Sequence, residues 1–214
     1  EDIEKVHMMG DLLKRDLLKM DFSLKNIFAA SEIEAGEVAN ECSVVNIEDL
    51  YKEVVIYFEY LISDKNLNLN FENLCEKEII SDSSKLYLIL LNLISNACEY
   101  SYENSKVEIK VQCKEKSFKI IVQDYGEGIK EEHTKEIYNR FTHFETGNTR
   151  GTAGLGLGLS VAKGMCEALD GYIDNISQTG NTVFTITMPY VDKKDIELST
   201  AFGANEFMFD GNST

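Results

Sequence analysis

The stretch Phe118-Lys119-Ile120-Ile121-Val122-Gln123-Asp124-Tyr125-Gly126-Glu127-Gly128-Ile129 decides the fold. Phe118 to Gln123 is apolar at strand length, and the charged turn Lys114-Glu115-Lys116 joins it to a second alternating run, Val107 to Cys113, as a hairpin. A carboxylate then stands where the strand ends, with Gly126 and Gly128 just behind it. Such a carboxylate can accept a hydrogen bond from an exocyclic amine like that of adenine, and the glycines let backbone approach closely. Taken alone, the segment is equally compatible with an acidic turn.

Upstream, Ser81-Asp82 starts an apolar helix from Ser83 to about Glu99. Its Asn92-Leu93-Ile94-Ser95-Asn96-Ala97 places two carboxamides at i and i+4 on one face, where a carbonyl oxygen can take one place on a hydrated magnesium ion. Earlier elements are a strand at Ser43 to Val45, a helix from Ile47 to Ser63 behind Asn46, and strands at Leu67 to Phe71 and Glu78 to Ile80. Downstream, seven of the 14 glycines fall between Gly126 and Gly158, flanking a short helix expected near Lys130 to Arg140. There Gly154-Leu155-Gly156-Leu157-Gly158 opens a helix reaching Leu169, so free N–H groups and the positive helix end can face phosphate. Strands at Tyr172 to Ser177 and Thr182 to Met188 follow, turned by Thr179-Gly180-Asn181, and the single proline, Pro189, ends the second. Thr182 offers a hydroxyl at its strand's start, for a ligand or for packing.

The N-terminal segment has a different period. Val6, Leu13, Met20 and Ile27, with Leu17 and Leu24, recur at heptad spacing, which predicts a long helix with a narrow apolar seam that needs a partner. Gly36 is placed to cap it. The last residues, from Val191 to Thr214, are acidic and polar without a period and read as a tail.

With 214 residues, 43% of them hydrophobic and 27% charged, the chain has the composition of one globular domain plus an appendage. The net charge of -16 argues against nucleic acid and anionic membranes as partners. No apolar run is long enough to span a bilayer, so a cytoplasmic chain without direct membrane contact is expected. Five scattered cysteines, none in a C-x-x-C pair, predict neither disulfides nor zinc.

In order and spacing, these constellations resemble the nucleotide-binding boxes of the ATPase superfamily shared by sensor histidine kinases, gyrase, heat-shock chaperones and mismatch-repair ATPases, and most of all the sensor histidine kinases. The resemblance covers residues 31 to 190. It implies an α/β (α+β) two-layer sandwich, a mixed sheet covered by helices on one face, that binds ATP and Mg²⁺. It assigns the metal to Asn96 and the adenine amine to Asp124. Gly126, Gly128 and Ile129 match the first glycine box, and Gly154, Leu155, Gly156 and Leu157 the second; Tyr100 and Thr182 are implied to line the nucleotide. Ile137-Tyr138-Asn139-Arg140-Phe141 is similar to a box whose arginine lies near the phosphates, so Asn92, Asn96 and Arg140 are the implied catalytic residues and Phe141 anchors a lid. Ser31-Glu32-Ile33-Glu34-Ala35-Gly36 is similar to the end of the dimerising hairpin of the kinases.

The resemblance thus divides the chain into the second hairpin helix (1–40), the ATP-binding domain (41–190) and a tail (191–214). It implies a homodimer through the hairpin and a response-regulator partner. Three departures stand out: Glu99 where lysine is usual, Ala153 for threonine and Asn181 for glycine. The phosphoacceptor motif is missing, since it needs a proline that Pro189 cannot supply, so the acceptor histidine is expected upstream of Glu1. A serine kinase of the anti-sigma-factor kind and a non-catalytic nucleotide-sensing scaffold are the alternatives.

Overall fold

The computed structural model describes residues 2–36, 38–142 and 155–191. Helix α1 (Asp2–Ala35) is followed by β1 (Cys42–Val45), α2 (Ile47–Val55), α3 (Glu59–Asp64), β2 (Asn68–Asn73), β3 (Ile79–Asp82), α4 (Ser83–Tyr100), β4 (Lys106–Cys113), β5 (Ser117–Asp124), α5 (Gly158–Ala168), β6 (Tyr172–Gln178) and β7 (Asn181–Pro189). Five strands form one sheet in the order β2-β4-β5-β7-β6. The β2–β4 pair is parallel and the others antiparallel, so the sheet is mixed, as expected. β1 and β3 form a separate antiparallel pair.

Alternation builds the two layers. In β4 and β5, Val107, Ile109, Val111, Phe118, Ile120 and Val122 are fully or almost fully buried, while the residues between them are half-exposed. The buried face meets Leu86, Ile89, Leu90, Leu93 and Ile94 of α4 and Val161, Ala162 and Met165 of α5 in one apolar core. Burying a side chain of this size contributes about 1.5–3 kcal/mol. Asp82 starts α4 by accepting from the N–H groups of Ser84 and Lys85. Its other oxygen binds Lys85 Nζ at 2.6 Å, and burial, which pushes its carboxyl up, is outweighed by these partners, which bring it to about 2.

Helix α1 ends as the sequence predicts, at Gly36 with φ +69°, a conformation that favours glycine. Its heptad seam is bare: Leu13, Leu17 and Met20 are more than 60% exposed. The opposite face packs on the domain. Phe22 meets Phe58 edge to face with centroids 6.0 Å apart, and Ile33 fills the space left by Gly164 on α5.

Three expectations are corrected. The helix expected from Ile47 to Ser63 breaks at a 3₁₀ turn, Ile56–Phe58. The run Val54-Val55-Ile56-Tyr57-Phe58 is crowded with β-branched and aromatic side chains that fit a helix poorly, and Phe58 turns inward. The helix expected near Lys130 to Arg140 is two separate 3₁₀ turns, Glu131–His133 and Glu136–Tyr138. Of their residues only Ile137 is buried, so no apolar stripe holds a regular helix down. Third, Cys75 and Cys113 are joined in a disulfide, with Cα atoms 5.0 Å apart. Parallel pairing explains it: Asn73 lies opposite Val111, and two residues further on each strand the cysteines meet. Among the described residues, no helix is long and apolar enough to cross a membrane.

Candidate functional site

Alternation along β5 reserves the position of Asp124 for an apolar side chain, since it follows Phe118, Ile120 and Val122 on the buried face. The carboxylate is only 4% exposed, and its Oδ1 has no hydrogen-bond partner. Burial pushes its carboxyl up to about 7, against the lowering effects of the Gly126 N–H and the Lys65 ammonium. Across the sheet Asp124 lies opposite Thr182 of β7, and Thr182 opposite Ser177 of β6. The two hydroxyls are hydrogen-bonded at 2.9 Å, and Ser177 Oγ accepts from the Ile129 N–H at 2.7 Å. One cross-strand row therefore ends in a carboxylate and two hydroxyls, with the glycine segment pinned beside it.

The glycines are there because backbone lies against them. A Cβ on Gly126 would run into the carbonyl of Tyr100, at the isolated bridge between Ser101 and Gly126. Gly128 has φ +80°, and a Cβ there would come within 2.5 Å of the Gln178 carbonyl oxygen.

Beside this row opens a cavity of about 410 Å³, lined by Asn92, Ser95, Asn96, Glu99 and Tyr100 of α4, by Asp124, Gly128, Ile129 and Thr182, and by Leu155, Gly156 and Leu157 ahead of α5. Burial, with Glu99 and Glu127 nearby, pushes the Tyr100 phenol up to about 12. Leu157 caps α5 with no side-chain bond, which leaves the helix N–H groups for an anion. Asn92 is 1% exposed; its Nδ2 donates to the Leu88 carbonyl at 2.9 Å, and its Oδ1 finds no donor. That oxygen lies so close to Gly158 that a Cβ there would be 2.7 Å away, so Asn92 fixes the start of α5 against α4.

The structure thus brings Asn92, Asn96, Tyr100, Asp124, Gly128, Ile129, Leu155, Gly156, Leu157 and Thr182 to one cavity, with Gly126 just behind it. It does not bring Arg140 or Phe141 to the wall. Arg140 is paired with Glu34 of α1 at 2.9 Å, and Phe141 is 70% exposed with φ +60°. Phe141 is held instead through its backbone, whose N–H donates to the Gly156 carbonyl at 2.8 Å. Gly154 and Ala153 lie outside the described residues, as do residues 192–214 of the expected tail. Sequence reasoning missed Phe22, Ser23 and Asn26 of α1, which also line the cavity. Their signal was faint: Asn26 is polar within the heptad segment yet only 4% exposed.

Among the described residues, no group of three or more histidine, cysteine, aspartate or glutamate side chains could hold a metal ion. The carboxamide oxygen of Asn96, on the cavity wall, is of the type that suits a hard cation such as Mg²⁺.

Residues 81–192 match the family described as histidine kinase-, DNA gyrase B- and HSP90-like ATPase. The chain is 30% identical over 168 residues to the sensor protein SrrB of Staphylococcus aureus, a match covering 78% of the chain and 29% of that relative. It therefore spans less than a third of the length of the curated relatives it matches. Among solved structures, the catalytic domain of the histidine kinase ThkA superposes with TM-score 0.61 at 28% identity, covering 71% of this chain and 99% of that one. The Acinetobacter baumannii histidine kinase AdeS superposes with TM-score 0.66 at 21% identity, over 79% of this chain and 77% of that one. ThkA in complex with the response regulator protein TrrA superposes with TM-score 0.59 at 26% identity, over 77% and 47% of the two chains.

Proposed function

Because the chain belongs to the histidine kinase-, DNA gyrase B- and HSP90-like ATPase family, we propose that it is the ATP-binding catalytic portion of a two-component sensor histidine kinase, passing the γ-phosphoryl group of ATP to a histidine it does not itself carry. The observation that carries the ATP site is Asp124, a carboxylate buried at a core-facing position with an oxygen that lacks a donor. The adenine amino group is the donor that answers it. Thr182 and Gly128 wall the same end of the cavity. Phosphates then extend toward Gly156, Leu157 and the open end of α5, where backbone N–H groups offset charge.

Asn96 would hold Mg²⁺, which would neutralise part of the phosphate charge. Asn92 keeps α5 in place beneath the phosphates. Arg140 would reach the phosphates after leaving Glu34, and Phe141 would anchor the expected lid, whose residues 143–154 lie outside the described residues. The γ-phosphorus would be attacked in line by an imidazole nitrogen as its bond to the β–γ bridging oxygen breaks, ADP leaving and the ring giving its proton to solvent, so that the protein's contribution is placement and electrostatics rather than covalent chemistry.

Helix α1 favours a histidine kinase over a serine kinase of the anti-sigma-factor kind. Its exposed seam is the second helix (1–40) of a dimerising hairpin, followed by the ATP-binding domain (41–190) and a tail (191–214). A homodimer through that hairpin and a response-regulator receiver domain are the proposed partners, the latter supported by the ThkA–TrrA complex. The proposed location is cytoplasmic, with the full-length protein tethered to the membrane or not.

Incubation with γ-labelled ATP and a separately supplied histidine-bearing hairpin tests the reading. Acid-labile label should appear on the hairpin and not on His7, His133 or His143. Acid-stable phosphoserine, or stable label on one of those three histidines, would contradict it.

A further inference from the structure

The ammonium of Lys65 lies at the end of α4, next to the part of that helix that walls the cavity with Glu99 and Tyr100. Lys65 follows α3, and its Nζ donates to three main-chain carbonyls at the end of α4: Ser101 at 3.0 Å, Cys98 at 3.2 Å, and Glu99. An ammonium has three protons, and all three are used. The last carbonyls of a helix lack partners within it and carry its negative end, so a cation there is favoured. This one does more than close a helix. Tyr100 and Ser101 are the residues against which Gly126 packs, and Gly126 in turn donates its N–H toward Asp124.

We infer that Lys65 is a positioning residue for the proposed ATP site: by gathering the carbonyls that end α4 it sets the wall behind Gly126, the residue whose N–H turns toward Asp124, and it brings a positive charge behind the carboxylate that receives the adenine amine. The inference rests on the ATP-binding reading of Asp124.

The other ionisable groups around Asp124 do not supply this charge. From α4 come Cys98, Glu99 and Tyr100; burial pushes the Cys98 thiol up to about 12, so it is neutral, and Glu99 is acidic. The segment after β5 contributes Glu127, Lys130 and His133 to the cavity wall. The cation acting on Asp124 is Lys65, which lowers its carboxyl against the effect of burial. From β7 and β6 come only the hydroxyls of Thr182 and Ser177, and α1 brings Phe22, Ser23 and Asn26, which do not ionise.

The test pairs Lys65→Gln, which keeps two of the three donors without the charge, with Lys65→Arg, which keeps both donors and charge. The Asp124 carboxyl is followed by carbon-13 NMR against pH, and ATP binding is titrated calorimetrically over the same range. In the unaltered protein both midpoints should fall near 7. Lys65→Gln should move both upward, weakening ATP roughly three- to tenfold at neutral pH and recovering at about pH 9, since one pKa unit is a factor of ten in ionisation. Lys65→Arg should restore both. A folded Lys65→Gln variant with the original carboxyl midpoint would overturn the inference, as would an ATP loss equal at every pH, which is what a purely structural role gives. Should Lys65→Gln fail to fold, Lys65→Met takes its place in both titrations, and failure of both to fold would overturn the inference in favour of a purely structural role. An unaltered protein that binds no ATP at any pH would instead remove the nucleotide reading itself.

Discussion

The two sides of the cavity are built on different principles. On the sheet side, Asp124, Thr182 and Ser177 stand in one cross-strand row, and Gly126 and Gly128 admit neighbouring backbone at contact distance. Nothing there can shift without moving strands. On the helix side the wall is made of an uncapped helix start, an exposed Phe141 in a left-handed conformation, and an arginine turned away to Glu34. On the proposed ATP reading the contrast divides recognition from reaction: the rigid side would select the base, and the loose side would meet the phosphates. Specificity can be fixed by the fold, whereas transfer requires parts that move.

Gly128→Ala should be the most damaging single change to the rigid side. It combines a φ of +80° with a Cβ 2.5 Å from the Gln178 carbonyl oxygen, so ATP binding should fall by at least about 2 kcal/mol, measured by calorimetry. A Gly10→Ala control should change nothing, since no atom lies within 4 Å of a Cβ there. If Gly128→Ala bound normally, the sheet side would be softer than argued.

Asp124→Asn comes next, and its two effects should have opposite signs. Losing a charge-assisted hydrogen bond to adenine should weaken ATP by about 1.5–3 kcal/mol. The apo protein should become more stable at neutral pH, because a carboxylate raised to about 7 is held at a cost. The sign follows from linkage: a folded-state carboxyl above its unfolded value near 3.8 adds stability fully below that value and loses it as pH rises through about 7. Thermal melts from pH 4 to pH 8 should therefore lose this slope in the Asn variant.

The same titration predicts that ATP affinity in the unaltered protein falls as pH drops below about 7, where Asp124 takes up a proton. Calorimetry in buffers of different ionisation enthalpy should show a proton released on binding. Glu34→Gln should have the smallest effect, confined to the loose side. Its pair with Arg140 lies at the surface and is worth at most about 1 kcal/mol, so freeing the arginine should tighten ATP up to about fivefold and leave adenosine binding unchanged. An equal gain for adenosine would mean that Arg140 does not act at the phosphates.

The same division decides what the sequence could reveal. Asp124 and the paired glycines are legible because rigid chemistry leaves local marks: an acid in phase with Phe118, Ile120 and Val122, and glycine where a side chain would strike backbone. Contacts made between distant segments leave none. The Cys75–Cys113 bridge depends on the parallel register of β2 and β4, the Arg140–Glu34 pair spans 106 positions, and Lys65 reaches Ser101 across 36 positions. The two 3₁₀ turns between Lys130 and Arg140 were misread for a related reason, since their charged residues permit a helix but no buried stripe compels one.

The central claim, that the buried carboxylate of Asp124 selects adenine by its amino group, is tested most directly by titrating the chain with ATP and with inosine triphosphate at pH 8 in the presence of Mg²⁺. The two ligands share phosphates and ribose, and inosine carries a carbonyl where adenine carries the amine. ATP should bind at least tenfold more tightly, since an unpaired buried carboxylate facing a carbonyl loses the hydrogen bond and meets repulsion as well. Equal affinity for the two would contradict the account.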